Sequence, residues 1–118
     1  MKFNPEGLQK RENQELSYYK IVFNYDILND EKNSFRNNTF SNVLTERKYK
    51  KSNFINTFYE KTLKSTTEND SKKEFKQETE ELKKKLREVI KDYNQKNDTN
   101  IEINYRFDLS LDNKEDSI

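Results

Sequence analysis

The sequence predicts an α+β fold, in which a short antiparallel sheet packs on helices in two layers. Residues 18–28 and 101–111 alternate apolar and polar side chains, the period-two pattern of a strand with one buried face. Residues 72–95 instead place apolar side chains three and four positions apart, as a helix with one buried face does. The chain has 118 residues, enough for a single domain spanning 1–118, and we expect its ends, 1–16 and 112–118, to be less ordered.

The first strand is predicted over residues 18–28, YYKIVFNYDIL, because β-branched and aromatic residues take alternate positions. Residues 29–34 have the composition of a turn, although none of them is Gly. The next segment, 35–45, leaves two alternatives open. It could return as an edge strand of a hairpin, or it could begin a helix on the spacing of Phe40, Val43 and Leu44.

Two helices are predicted in the middle of the chain. Residues 52–64 follow a candidate N-cap, Ser52, and keep apolar side chains at helical spacing. Residues 72–95 follow Ser71, which can accept a hydrogen bond from the first turn while Glu74 reaches back to form a capping box. Packing both helices on the apolar faces of the two strands gives the two-layer arrangement.

The composition excludes several kinds of chemistry. The chain has no Cys and no His, which removes disulfides, thiol nucleophiles, imidazole bases and zinc sites built from nitrogen and sulfur. Its single Gly cannot form a phosphate-binding loop. No apolar run approaches a membrane span or a signal peptide, so we expect a cytoplasmic protein without membrane association. We predict no cofactor and no catalytic residue.

Carboxylates on the two strands are the remaining candidates for chemistry. If the strands pair, Asp26 shares the polar face of the sheet with Glu102 and Asp108, and such acids could hold Mg²⁺. No calcium-type loop accompanies them, and a polar face turned to solvent explains the same residues. The sequence therefore predicts no metal site.

One basic cluster precedes the first predicted helix. It consists of four cations around one aromatic residue: Arg47, Lys48, Tyr49, Lys50 and Lys51. The cations could contact phosphates, and Tyr49 could stack on a base. The alternative interpretation is a charged connector between two elements.

A second basic cluster runs along one flank of the 72–95 helix and contains Lys72, Lys76, Lys83 and Arg87. Acidic side chains occupy the other flank. Like charges four residues apart each cost a few tenths of a kcal/mol in a helix, so segregation of this kind suggests a use for the basic flank. A solvated helix with unevenly distributed charge is the alternative. Tyr18, which lies outside the main apolar stripes, is a further candidate contact residue.

Two functional hypotheses follow from these observations. The first is a non-catalytic module that binds, regulates or inhibits a larger protein; richness in Lys and Asn without Ala is typical of AT-rich coding, as in some bacteria and phages. A phage or mobile-element inhibitor of a host defence nuclease would be one form of it. The second is an accessory protein that binds nucleic acid, which requires the two basic clusters to meet on one surface. Whether the chain is a monomer or a homodimer stays open.

Overall fold

The structure is a computed structural model that describes residues 18–52, 58–64 and 67–112. Within these ranges the chain forms four strands and two helices. The expectation of less ordered ends concerns residues outside the described ranges, apart from Asp112, which ends the last strand. The predicted α+β class is confirmed.

The elements follow one another along the chain in a mixed order. The strands are β1 (Tyr18–Leu28), β2 (Lys50–Lys51), β3 (Phe58–Thr62) and β4 (Glu102–Asp112). The helices are α1 (Ser41–Glu46), which continues from a π-helical turn at Arg36–Phe40, and α2 (Glu68–Asn97). The sheet is antiparallel, with the strand order β2-β3-β1-β4.

The two predicted long strands pair with each other along their whole length. Their register runs from Tyr18 opposite Asp112 to Leu28 opposite Glu102, without a bulge. The odd-numbered side chains of β1 enter the core, where the Phe23 ring stacks on Phe107 at 4.6 Å between centroids. Both strand predictions are therefore confirmed, the second shifted by one residue.

Both helices lie on the apolar face of the sheet. Phe40, from the π-helical turn, packs on Tyr25 with ring centroids 4.6 Å apart. Phe35 links this segment to Tyr93 of α2 at 5.2 Å. The core that results is rich in rings, because the sequence has few aliphatic residues.

The edge-strand alternative for residues 35–45 is wrong, and the helical alternative is right. Phe40, Val43 and Leu44 are buried on one side of the helical segment. Its start is held by Asp30, whose two carboxylate oxygens accept from the backbone N–H groups of Phe35 and Arg36 at 3.0 and 2.9 Å. Free backbone N–H groups at a helix start favour such an acceptor.

The predicted helix over residues 52–64 is wrong at 58–62, which form β3. Buried Tyr59 and Leu63 are four residues apart, a spacing that fits a helix and a strand equally well. Lys61 lies between them on the same face of the strand. Because it is a cation at a position that is usually apolar, the alternation of apolar and polar residues cannot be recognised in the sequence. Residues 53–57 of the predicted helix lie outside the described part of the chain.

The long helix begins earlier than the prediction of 72–95. Its N-cap is Thr67, whose side chain accepts from the Asp70 N–H at 3.2 Å. Ser71, the predicted cap, is fully buried inside the first turn and donates to the Glu68 carbonyl at 2.8 Å. The capping box at Ser71 and Glu74 is therefore wrong, because a second Ser/Thr-x-x-acid pattern four residues upstream starts the helix.

The far end of α2 is tied to β4. Asp98 takes a left-handed conformation (φ 53°) and ends the helix. The Asn94 side chain then accepts from the Ile101 N–H at 2.8 Å and donates to the Ile101 carbonyl at 3.2 Å. These two bonds fix where β4 starts relative to α2, and so position the surface between them.

Candidate functional site

The two flanks of α2 face different neighbours. The acidic flank turns toward β3 and the end of α1, where Glu78 meets Arg47 and Lys61. The basic flank turns toward β4, where Lys83 and Arg87 stand beside Tyr105. The acidic and basic flanks predicted from the sequence therefore contact different parts of the fold.

On the acidic flank, four charged side chains form a partly buried cluster. Arg47 donates to both carboxylate oxygens of Glu78 at 2.9 Å and to Glu81 at 2.7 Å. Lys61 adds a second cation to Glu78 at 3.2 Å. Hydrogen bonding to Glu78 raises the pKa of Arg47, and hydrogen bonding to Arg47 lowers that of Glu81. The cluster joins α1, β3 and α2, which is a structural role.

Tyr49 lies beneath this cluster. The residue is 3% exposed, and the Lys61 Nζ lies 5.5 Å from its ring centroid. Burial, followed by the negative charge of Glu78, raises the pKa of the Tyr49 hydroxyl. A ring in this position cannot stack on a base, contrary to the nucleic-acid interpretation of this residue.

The remaining cations of the first basic cluster are exposed. Lys48, Lys50 and Lys51 lie at the opposite edge of the sheet from β4. Lys48 adopts a positive φ of 72°, in the tight turn between α1 and β2. With Arg47 held by two carboxylates, three of the four predicted cations remain accessible to a partner.

The second basic cluster is largely free. Lys72 pairs with Glu68 at 3.3 Å, an exposed contact of little energetic value. Lys76, Lys83 and Arg87 have no carboxylate partner within the described residues. Lys83 and Arg87 face β4, whereas Arg47 lies on the acidic flank. The two basic clusters therefore occupy opposite flanks of α2 and do not meet.

Between α2 and β4 lies an apolar groove. It encloses a cavity of about 220 Å³. The sheet contributes Phe23, Ile103, Tyr105 and Phe107 to its lining, and α2 contributes Leu86 and Ile90 together with two cations at the rim, Lys83 and Arg87. Tyr105 is 46% exposed, which is high for a ring on the core side of a sheet. The helix covers only part of the apolar face of β4.

The apolar face remains open along the rest of β4. Leu111 is 47% exposed, and Phe107 and Leu109 are only partly buried. The predicted contact residue Tyr18 is 37% exposed and lies opposite Asp112, at the same end of the strand pair as Leu111. The sequence pattern does not single out Tyr105 and Leu111, because alternation alone assigns every apolar residue of a strand to the core.

The strand acids do not converge. Asp108 lies opposite Val22 and Asp26 lies opposite Asn104, so four residues, about 13 Å, separate the two acids along the sheet. Asp108 instead pairs with Arg106 at 3.1 Å. Among the described residues, no group of three or more potential ligands could hold a metal ion.

Comparisons with known proteins add nothing to this geometry. No family model, curated protein or solved structure matches the chain. In the described part of the chain, no helix combines the length and apolar character needed to cross a membrane. The surface between α2 and β4 is therefore the candidate functional site.

Proposed function

We propose that this chain is a small non-catalytic module that binds and regulates, or inhibits, a larger protein. The observation that carries the proposal is the apolar groove between α2 and β4, where Tyr105 is nearly half exposed beside Lys83 and Arg87. Tyr and Arg are enriched at the centres of protein interfaces, since both give large contact areas. Accessible apolar patches bordered by polar residues often mark binding surfaces.

The charges of the groove specify the chemistry of the partner. Its floor offers rings and branched aliphatic side chains, and its rim offers two cations without a carboxylate partner in the described chain. A complementary segment carries one or two large apolar side chains flanked by Asp or Glu. We therefore propose an acidic, apolar segment of a larger protein as the occupant of the groove.

The residue types support a non-catalytic role. A chain without His or Cys lacks the commonest general base and the most reactive nucleophile. The AT-rich type of composition supports one particular form of this function. In that form, a phage or mobile element encodes the protein, and the partner is a host defence nuclease.

A peptide selection tests the groove directly. The immobilised protein is used to select from a displayed library of random peptides, and binding of the enriched peptides is then measured by fluorescence anisotropy. We expect enrichment of acidic peptides that contain aromatic or aliphatic residues. The double substitution Lys83→Glu with Arg87→Glu should weaken their binding about tenfold, because attraction at the rim becomes repulsion.

A matched control reverses two charges at the other edge of the sheet, through Lys50→Glu with Lys51→Glu. These residues are also exposed, so this variant should bind the peptides as tightly as the wild type does. Circular dichroism checks that both variants are folded. Enrichment of peptides without acidic residues, or equal losses in the two variants, would contradict the proposal.

The alternative function, a nucleic-acid-binding accessory protein, depends on Lys76, Lys83 and Arg87, which have no carboxylate partner among the described residues. Anisotropy with single- and double-stranded DNA and RNA, at about 50 and about 200 mM salt, distinguishes it, because phosphate-driven binding weakens steeply over this range. Salt-sensitive binding that is lost on Lys83→Glu with Arg87→Glu would favour this alternative.

A further inference from the structure

The two edges of the sheet differ in how they are protected against pairing with another strand. Sheet edges are usually protected by short strands, Lys, Pro or bulges. The β2 edge, Lys50–Lys51, is two residues long and both are Lys. The β4 edge, Glu102–Asp112, is 11 residues long, contains no Lys or Pro, and keeps a regular register with β1 throughout. No strand covers it within the described residues.

The direction of the backbone groups at this edge follows from one hydrogen bond. The Leu63 N–H donates to the Tyr19 carbonyl at 2.8 Å, so Tyr19 and the other odd-numbered residues of β1 point toward β3. Backbone groups alternate along a strand, so the even-numbered residues of β1 point toward β4. Val22, for example, faces Asp108. The odd-numbered residues of β4 therefore direct their N–H and C=O groups outward.

We propose that β4 pairs antiparallel with β4 of a second copy, about a two-fold axis at Phe107. Such an interface is isologous, because the same strand supplies both halves. It would join the two sheets and satisfy the outward backbone groups of both strands. It would also cover Tyr105 and Leu111, the exposed apolar residues on the core side of the strand.

The charges of β4 select this register. When Phe107 lies opposite Phe107 of the second copy, Arg106 lies opposite Asp108 of that copy. The two-fold axis repeats this ion pair, so the interface contains it twice. These are the non-hydrogen-bonded positions, where opposing side chains approach most closely. Shifting the register by two residues in either direction would bring Arg106 opposite itself or Asp108 opposite itself, and opposed like charges destabilise a sheet.

The apolar residues agree with the same register. Tyr105 lies opposite Leu109, and Ile103 lies opposite Leu111, so all the core-side positions meet apolar neighbours. At each end of the paired strands, Glu102 would face Asp112 of the other copy. Because these two acids repel, we expect the strands to separate there, so that the hydrogen bonds between them end before this pair. A shift by one residue would place apolar side chains opposite polar ones, which excludes odd registers.

This inference does not depend on the proposed peptide partner. The groove is lined by side chains and lies on the helix side of the sheet, whereas the dimer forms through the backbone edge of β4. The two-fold axis is perpendicular to the sheet, so both copies of α2 lie on the same face. The two grooves become neighbours: the dimer covers part of Tyr105, whereas Leu86, Ile90 and the cations Lys83 and Arg87 lie on α2 and not on the paired edges.

Sedimentation velocity from about 1 to about 200 μM tests the dimer with charge-reversed variants. The wild type should dimerise within this range. Arg106→Asp and Asp108→Arg, each alone, should raise the dimer dissociation constant about tenfold, because both ion pairs become like-charged. Mixing the two variants should restore dimerisation, since each then supplies the charge that the other lacks. Lys51→Asp, at the opposite edge, is the matched control and should dimerise like the wild type.

Amide hydrogen exchange gives an independent measurement. The even-numbered amides of β4 should be protected at every concentration, because they bond to β1. The odd-numbered amides should exchange rapidly in dilute protein and become protected as the concentration rises. A wild-type monomer at about 200 μM would overturn the inference, as would dimerisation that neither charge reversal affects. Neither result would affect the peptide selection, so the two proposals fail separately.

Discussion

Glu78 is the only buried acid in the described part of the chain, and it contacts two cations from two different elements. Arg47 donates to its two carboxylate oxygens from Nε and Nη2, a paired geometry that a carboxylate matches well. Removing one partner of a buried pair is costly, because the remaining charge keeps its desolvation penalty. The stability of this region should therefore depend on Arg47.

We expect Arg47→Ala to lower the free energy of unfolding by about 1–3 kcal/mol, below the range for fully buried pairs, because Arg47 is partly exposed and Lys61 remains. Urea denaturation measures the change. Arg47→Lys should fall between the wild type and the alanine variant, since it keeps the charge but not the paired donors. Lys96→Ala, which removes an exposed pair with Asp92, should cost less than about 0.5 kcal/mol. Equal losses in Arg47→Ala and Lys96→Ala would contradict this account.

The sequence could not reveal this contact. Arg47 and Glu78 are 31 residues apart, and each belongs to a local run of like charges with its own interpretation. Their proximity depends on how α1 and α2 pack on the sheet, which no local pattern encodes. The same reason explains why Tyr49 was interpreted as a surface ring although it is buried.

Among the elements, the clearest difference between pattern and structure is the start of α2. Two candidate caps lie four residues apart, Thr67 and Ser71, and only the first accepts a hydrogen bond from the backbone of the first turn. We expect Thr67→Ala to lower the free energy of unfolding by about 1 kcal/mol. Ser71→Ala should change it by less than about 0.5 kcal/mol, because the better helix propensity of Ala offsets the lost bond to Glu68.

Urea denaturation of both variants, with helix content followed by circular dichroism, separates the two caps. A larger loss in Ser71→Ala than in Thr67→Ala would mean that the helix starts at the residue that the sequence predicts. Thr67→Ser serves as the control, since it keeps the accepting hydroxyl and should stay close to the wild type.

A strand could be predicted correctly where apolar and polar residues alternate along its whole length. The alternation in 18–28 and 101–111 is nearly unbroken, and both strands were predicted within one residue. In β3 the alternation is interrupted by Lys61, whose charge is satisfied by Glu78 on another element. The neighbouring sequence does not show that a polar residue lies on the core side of a strand. The apolar spacing in 52–64 therefore favours a helix.

At the scale of the whole molecule, the sheet is asymmetric. Among the described residues, the β2 edge is short and carries two Lys, whereas β4 leaves part of its apolar face and its outer edge uncovered. Alternation predicted the faces of the strands but not their order, and the order decides which apolar residues stay exposed. The groove beside α2 could therefore be recognised only after β4 was located at the edge.

The ring-rich core makes the stability of the whole molecule sensitive to alkaline pH. Burial raises the pKa of Tyr25, Tyr49 and Tyr59 above 10.0, the usual value for tyrosine. A raised pKa in the folded state means that the unfolded chain loses these protons first as the pH rises. The stability that the protonated rings supply is thus complete below about pH 10 and declines above it.

We expect the free energy of unfolding to fall as the pH rises above about 10, by up to about 1.4 kcal/mol per pH unit for each tyrosine that is deprotonated only in the unfolded chain. Urea denaturation between about pH 8 and about pH 11 measures this slope, and ultraviolet absorbance of tyrosinate reports the titration itself. Tyr49→Phe removes the most deeply buried of the three hydroxyls and should make the slope shallower. Tyr18→Phe, at an exposed ring, is the matched control for the loss of a tyrosine hydroxyl. Identical slopes in Tyr49→Phe and the wild type would mean that Tyr49 does not contribute to the pH dependence, and that water reaches this part of the core.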